Sequence, residues 1–406
     1  VSSRSIGLAY ADRRGRIFFD EGREPLADGG IVRPVFRREL IRAPRGTVPV
    51  MLPGRSPLLR RGAASRRTAL GALLPAGYTR LLLPAYEERE GAPPLPLFGY
   101  AFACAIGDAL YVAAARTDED PNWKPRTFAE GELQNIVASR LAADSGNRVL
   151  AQLARCSLEY GCFTAQNVFL EQGEAALAVS PRCNARCVGC ISELERDAGI
   201  PSPQERISYE VQADAPARIA IHHLERVRDG IVSFGQGCEG EPLLRTTAIA
   251  RAIGKIRARV RTGTINLNTN GSLPKSLQTL IDAGLDAVRI SLNSFRPAVY
   301  AAYYRPIGYE LDNVLESVRR ARAGGLRVSL NLLTHPGVTD DAGEVAAMTA
   351  FLREVPVALV QTRTLNIDPH RYFALVGRPK EPFGMRAALS AIRAAGVAVG
   401  NFTHTH

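Results

Sequence analysis

From Ala175 onward the chain alternates short apolar runs with longer stretches of helical period. The runs are Ala175–Val179, Gly230–Phe234, Thr264–Thr269, Ala287–Leu292, Arg327–Leu332 and Val357–Thr364. Between them, Thr246–Arg261, Pro274–Ala283, Leu311–Ala323 and Asp341–Glu354 place apolar residues three and four apart, and Ala283-Gly284 and Gly324-Gly325 are natural helix stops. Six such units predict a parallel sheet wound in one direction. Several runs alternate within themselves. One parity is apolar (Val288, Ile290, Leu292). The other is polar: Asn266, Asn268 and Asn270; Arg289, Ser291 and Asn293; Ser329 and Asn331; Gln361 and Arg363. Period two places the first set under helices and the second in a wet lumen. The fold class expected is α/β, a partial (β/α)6 TIM-like barrel with an N-terminal α+β domain.

The first part of the chain has a different pattern. Short strand-like runs flank the turn Asp12–Arg16, Thr47–Leu52 and Leu81–Leu83 are further short apolar runs, and Leu97–Ala115 reads as a hairpin turned at Gly107-Asp108. Glu130–Tyr160 reads as helix, broken near Ser145-Gly146. The acidic stretch Asp118–Pro125, with the sole tryptophan Trp123, reads as a solvated loop. The expected division is 1–165 (α+β), 166–370 (core) and 371–406, where Gly384–Ala395 reads as a helix and Val397–Phe402 as one more strand.

Composition narrows the function classes. Hydrophobic content of 46% supports a large core, and the longest apolar run, Leu97–Ala115, is broken by Gly99, Gly107 and Asp108, so no membrane span or signal peptide is expected. The net charge of +11 permits an acidic or RNA partner, but the arginines are scattered and only Lys124, Lys255, Lys275 and Lys380 are lysines. Seven cysteines, three of them bunched, suit a reducing cytoplasm and a metal centre better than disulfides.

The bunched cysteines are Cys183, Cys187 and Cys190, spaced C-x3-C-x2-C just after the first apolar run. Three thiolates can hold three irons of a four-iron cluster and leave one iron open. Zinc is the alternative, although no fourth Cys or His follows at a zinc-finger spacing. Three polar turns end the next runs: Ser233–Pro242, Asn268-Thr269-Asn270-Gly271 and Arg289–Ser294. Strand carboxyl ends are where ligands sit in parallel α/β folds.

In this order, the loop and turns of residues 175–368 resemble the core of the radical S-adenosylmethionine (radical SAM) enzymes, nearest the peptide- and cofactor-maturing members. The resemblance implies a [4Fe–4S] cluster on Cys183, Cys187 and Cys190, with SAM on the open iron. It implies SAM contacts from Gly240, Glu241 and Pro242 (the end of a GGEP-type motif), from Asn270 (a TNG-like stretch), and from Ser291 and Asn293. Three positions depart from the family pattern. Gly189 stands where an aromatic residue often precedes the third cysteine, Glu239 replaces a glycine, and Asn293 stands where Asp is frequent.

The implied chemistry is one-electron cleavage of SAM to methionine and a 5′-deoxyadenosyl radical, which takes hydrogen from a substrate in the lumen. A low-potential donor such as ferredoxin or flavodoxin is the implied partner, and a small molecule or peptide the implied substrate. An RNA-modifying enzyme and a non-catalytic Fe–S or zinc protein are the alternatives. Arg363, Gln361 and Asn331 are substrate-side candidates by parity, and Arg363 could grip a carboxylate or phosphate. His335 is a candidate proton carrier. Cys238 is a candidate hydrogen donor, extra ligand or inert thiol, and Cys156 and Cys162 could join a second cluster.

Overall fold

A computed structural model describes residues 5–62, 67–118, 129, 131–195, 198–379 and 381–401. Most of the Asp118–Pro125 stretch, with Trp123, lies outside the described residues. Leu8–Ala11 pairs with Ile17–Asp20 around the anticipated turn, and Ala101–Ile106 pairs with Ala109–Arg116 across Gly107, which takes φ +62°. These strands belong to an eight-stranded sheet whose described pairings are all antiparallel. Its small buried residues, such as Ala72, Ala103 and Ala114, let strands and neighbouring layers approach closely.

Three helices follow: α1 (Glu132–Ala143), α2 (Arg148–Leu158) and α3 (Phe163–Leu170). The break between the first two is set by Asn147, whose side chain accepts the Leu150 N–H at the start of α2. Leu150, Leu153, Val168 and Phe169 join the same apolar core as the second half of the chain.

That second half is built on a parallel sheet of seven strands in sequence order: Glu174–Leu177, Ile231–Phe234, Thr264–Thr269, Ala287–Leu292, Arg327–Thr334, Leu359–Thr364 and Ala398–Gly400. The first six coincide with the six expected runs to within two residues at most ends. The connections carry α4 (Asp214–Leu224), α5 (Thr246–Arg259), α6 (Pro274–Asp282), α7 (Pro297–Tyr304), α8 (Leu311–Ala323), α9 (Ala342–Glu354), α10 (Pro369–Val376) and α11 (Met385–Ala394). The apolar parity (Val288, Ile290, Val328, Leu330) is buried against these helices. The polar parity faces inward, where Asn266 Nδ2 donates to Ser233 Oγ at 3.0 Å and Asn331 Nδ2 to Ser291 Oγ at 3.0 Å. Arg289 on the fourth strand reaches Glu174 on the first at 3.4 Å, so the sheet curls around this polar side.

The sixth strand turns its other face to the N-terminal sheet. Thr362 Oγ1 lies 2.5 Å from Thr79 Oγ1, and a Cβ on Gly99 would stand 2.2 Å from Thr364.

Candidate cofactor and substrate site

The cysteine loop leaves the first strand and is gripped from three sides. Glu239 is the first grip. One carboxylate oxygen accepts the Val179 and Ser180 N–H groups at 2.7 Å each, and the other accepts those of Gly235 and Gln236 at 2.8 Å. Gly240 N–H donates to Ser180 O and Glu241 N–H to Arg182 O. Backbone meets backbone here: a Cβ on Gly240 would lie 2.0 Å from Arg182 O, so only glycine fits. The second grip is the end of α7, where Val188 N–H donates to Tyr303 O and Arg186 N–H to Tyr304 O. The third is Asn184, which accepts from Asn270 Nδ2 and donates to Ser272 Oγ, both at 2.9 Å.

Of the anticipated rim residues, Gly240, Glu241 and Asn270 bond the loop, whereas Ser291 and Asn293 bond other groups. Glu241 is buried, with Thr269 Oγ1 (2.5 Å), Leu243 N–H and Asn270 N–H on its two oxygens. Burial nevertheless pushes its carboxyl up to about 7, against the pull of those donors. Pro242 opens a short 3-10 turn, Pro242–Arg245. The Asn270 side chain ties Asn184 and Ser272 together and so shapes the loop. Asn293 donates to Tyr372 Oη and Val299 O, while its own Oδ1 is buried without a partner. Ser291 accepts from Asn331, placing it within the lumen's hydrogen-bonded layer.

Burial and the Glu241 carboxylate push the Cys183 thiol up to about 11, and burial with the neighbouring thiols raises Cys187 too. A metal centre must therefore displace protons as it binds. The loop supplies three soft donors, and Arg206 Nη2 donates to Cys190 Sγ at 3.5 Å. Among the described residues no three His, Cys, Asp or Glu side chains are drawn around one point. The donor set and the orphaned Asn293 Oδ1 fit a thiolate-held cluster with a polar ligand beside it.

Gly189 has a physical reason. A Cβ there would meet Tyr303 Oη at 2.8 Å and Asn366 O at 3.0 Å. The space that an aromatic at this position would need is filled by Tyr303 of α7, buried against Tyr304 and Tyr372.

The remaining cysteines divide. Cys104 lies in the N-terminal sheet. Cys156 of α2 and Cys238 of the Glu239 loop are both buried, and Cys156 Sγ accepts from Gln152 Nε2 at 3.6 Å. Cys162 N–H donates to Cys156 O close by. His335 is fully buried between Tyr372 and Phe373, with centroids 4.7 and 4.9 Å away, and burial holds its pKa well below the usual value. The neutral, enclosed ring makes it a packing residue in this structure. Gln361 is fully buried, whereas Arg363, two residues along the same face of the strand, is exposed.

Sequence reasoning missed Glu239 as a clamp, Arg206 as the thiol's donor and Tyr303 as the ring behind the loop. The one available signal was the substitution pattern itself: Gly189 and Glu239 depart from the family together.

A family profile described as the radical SAM superfamily matches residues 177–348. GTP 3′,8-cyclase of Heliobacterium modesticaldum is 34% identical over 189 residues, covering 45% of this chain and 51% of that protein. FeMo cofactor biosynthesis protein NifB of Klebsiella pneumoniae is 25% identical over 246 residues, 57% of this chain and 51% of that one. The chain thus spans about half the length of these curated relatives. Among solved structures, a radical SAM methyltransferase from Sphaerobacter thermophilus aligns with a TM-score of 0.40 at 16% identity, covering 56% of this chain and 64% of that one. A structure titled anSMEcpe with bound AdoMet aligns with a TM-score of 0.37 at 16% identity, covering 48% and 52%. No helix among the described residues is long and apolar enough to cross a membrane. Residues 177–348 of this chain thus match the radical SAM superfamily, whose cofactors are a [4Fe–4S] cluster and S-adenosylmethionine.

Proposed function

We propose that the chain is a radical SAM enzyme acting on a small molecule or peptide held in the lumen of a partial (β/α)6 barrel. Cys183, Cys187 and Cys190 would hold the cluster, with an external low-potential donor such as ferredoxin or flavodoxin reducing it. When bound, the cluster and SAM supply a 5′-deoxyadenosyl radical for hydrogen abstraction. Glu241 would take the amino group of SAM, with Pro242 beside it, while Gly240 lets this turn close on the cysteine loop. Asn293, with its unpartnered Oδ1, and Ser291 are the further SAM-side groups. Asn270 acts by holding Asn184, hence the loop. On this reading residues 1–165 and 371–406 flank a core of 166–370.

The observation that carries the reading is the convergence of the turns after the second and third strands on one cysteine loop, through the Glu239 clamp and the Asn270–Asn184 bond. A structural zinc clamp needs no buried carboxylate at pKa about 7 beside its thiols. The test is anaerobic reconstitution with iron and sulfide, then dithionite and SAM. About four irons per chain and 5′-deoxyadenosine are expected from the wild type. Cys187→Ala should lose the product completely, and turnover surviving that change would remove the cluster assignment.

A further inference from the structure

Among the described residues Arg363 of the sixth strand has no direct ion-pair partner, and Glu174 and Asp118 act on it only from beyond contact distance. Arg363 alternates along the sixth strand with Thr362 and Thr364, which touch the N-terminal sheet, so Arg363 and Gln361 face the polar side. Among the described residues Arg363 forms no hydrogen bond or ion pair through its guanidinium. The carboxylates around it are committed elsewhere. Glu174 holds Arg289 and accepts from Ser233 Oγ at 2.5 Å, and Asp118 accepts the Asn401 N–H. Desolvation and then the Arg289 cation pull the Arg363 pKa down, while Glu174 and Asp118 oppose them from a distance.

A second, independent observation lies one row away. Gln361 is fully buried, yet neither its Oε1 nor its Nε2 has a partner. Its register neighbour on the fifth strand is Asn331, whose Nδ2 is given to Ser291 while Oδ1 is left open. Buried polar atoms are normally satisfied, and a group left open on the inner face of a cavity points to a ligand that completes it. An amide with both ends open is the complement of another amide.

We propose that the substrate carries a carboxylate or phosphate gripped by the Arg363 fork, beside an amide group that pairs with Gln361 and Asn331. This rests on the lumen being the substrate chamber, and it narrows the substrate to an anionic, amide-bearing one such as an acidic residue in a peptide or an acylated amino acid. A planar guanidinium matches either oxyanion with two parallel hydrogen bonds.

The test uses the full chain with its cluster loaded and no reductant, so it needs no turnover. Phenylglyoxal labelling is mapped by mass spectrometry, with inorganic phosphate or N-acetylglutamate as the protecting probe. Arg363 should label readily, and one of the probes should slow its labelling about tenfold while leaving Arg289 unchanged. Protection by phosphate alone assigns a phosphate, and protection by N-acetylglutamate assigns a carboxylate. Gln361→Leu should weaken protection by N-acetylglutamate about tenfold, the loss of one buried hydrogen-bonded pair. An Arg363 that resists labelling, or one protected by neither probe, overturns the proposal. Unchanged protection in Gln361→Leu removes its amide half. Absence of 5′-deoxyadenosine from the wild type under reducing conditions would instead count against the enzymatic reading, and the two failures are separable.

Discussion

At the scale of single residues, the site depends on two buried carboxylates two positions apart. Glu239 spends four acceptor positions on backbone N–H groups of two loops, while Glu241 holds the turn after the third strand. Glu241 has its carboxyl raised to about 7 by burial. Below that pH it is protonated and neutral, and it offers nothing to a cation; above it, it is ionised. The affinity for SAM, whose amino group is cationic up to about pH 8, should therefore rise about tenfold per unit as pH climbs toward 7 and then level off. Calorimetric titration across pH 5.5–8 (a range of about two and a half units) checks this, and Glu241→Gln should flatten the rise. A wild-type affinity independent of pH would deny Glu241 the role. The thiol spacing and the Glu241 motif were legible in the sequence because both are local patterns. The Glu239 clamp was not, since its partners Val179 and Ser180 lie 60 and 59 positions away. A residue read as a departure from the family is the one that joins its two loops.

Among the elements, the alternating strands were the most legible because each buries one parity against helices and leaves the other wet. Helix α7 was not read at all. Its sequence, Pro-Ala-Val-Tyr-Ala-Ala-Tyr-Tyr, has no polar face: Val299, Tyr300, Tyr303 and Tyr304 are buried, and the exposed positions Pro297, Ala298 and Ala301 are small or apolar. Helix α4 was hidden by Pro216, which sits in its first turn, where proline is tolerated. Helix α7 ends at Arg305, a non-glycine residue at φ +45°, and this turn aims the Tyr303 and Tyr304 carbonyls at the cysteine loop. The left-handed conformation costs a non-glycine residue about 1–2 kcal/mol. Arg305 also pairs with Glu195, but both side chains are largely solvated and the pair offsets little. Arg305→Gly should therefore raise stability by about 1 kcal/mol in denaturant melts and retain iron. Arg305→Pro, whose ring forbids this φ, should retain far less iron after reconstitution. Equal iron in all three proteins would show that the turn does not set the loop.

For the molecule as a whole, the arginine excess is in part internal. Arg55 is buried and joins Asp368 at 3.1 Å, and Tyr86 Oη donates to the same carboxylate at 3.0 Å. Arg80, fully buried, extends from the N-terminal sheet and donates to Tyr100 O, Thr334 O and Leu365 O, the last two at the carboxyl end of the fifth strand and just past the sixth. Contacts of this range, more than 250 positions apart, leave no trace in hydrophobic period, and so the N-terminal sheet read as a separate region of unknown role. In space it buttresses the strand ends that carry Arg363 and Asn331. Truncating Arg80 leaves a cavity and takes donors from buried carbonyls, at a cost of about 3–5 kcal/mol. Because the interface is buried and polar, the sheet and barrel should unfold as one unit. Calorimetry of the wild type should give a single transition, with Arg80→Ala shifted well below it or split in two. Two separated transitions in the wild type, or an unshifted melt in Arg80→Ala, would show that the N-terminal sheet only rests against the parallel sheet and does not brace the ends of its fifth and sixth strands.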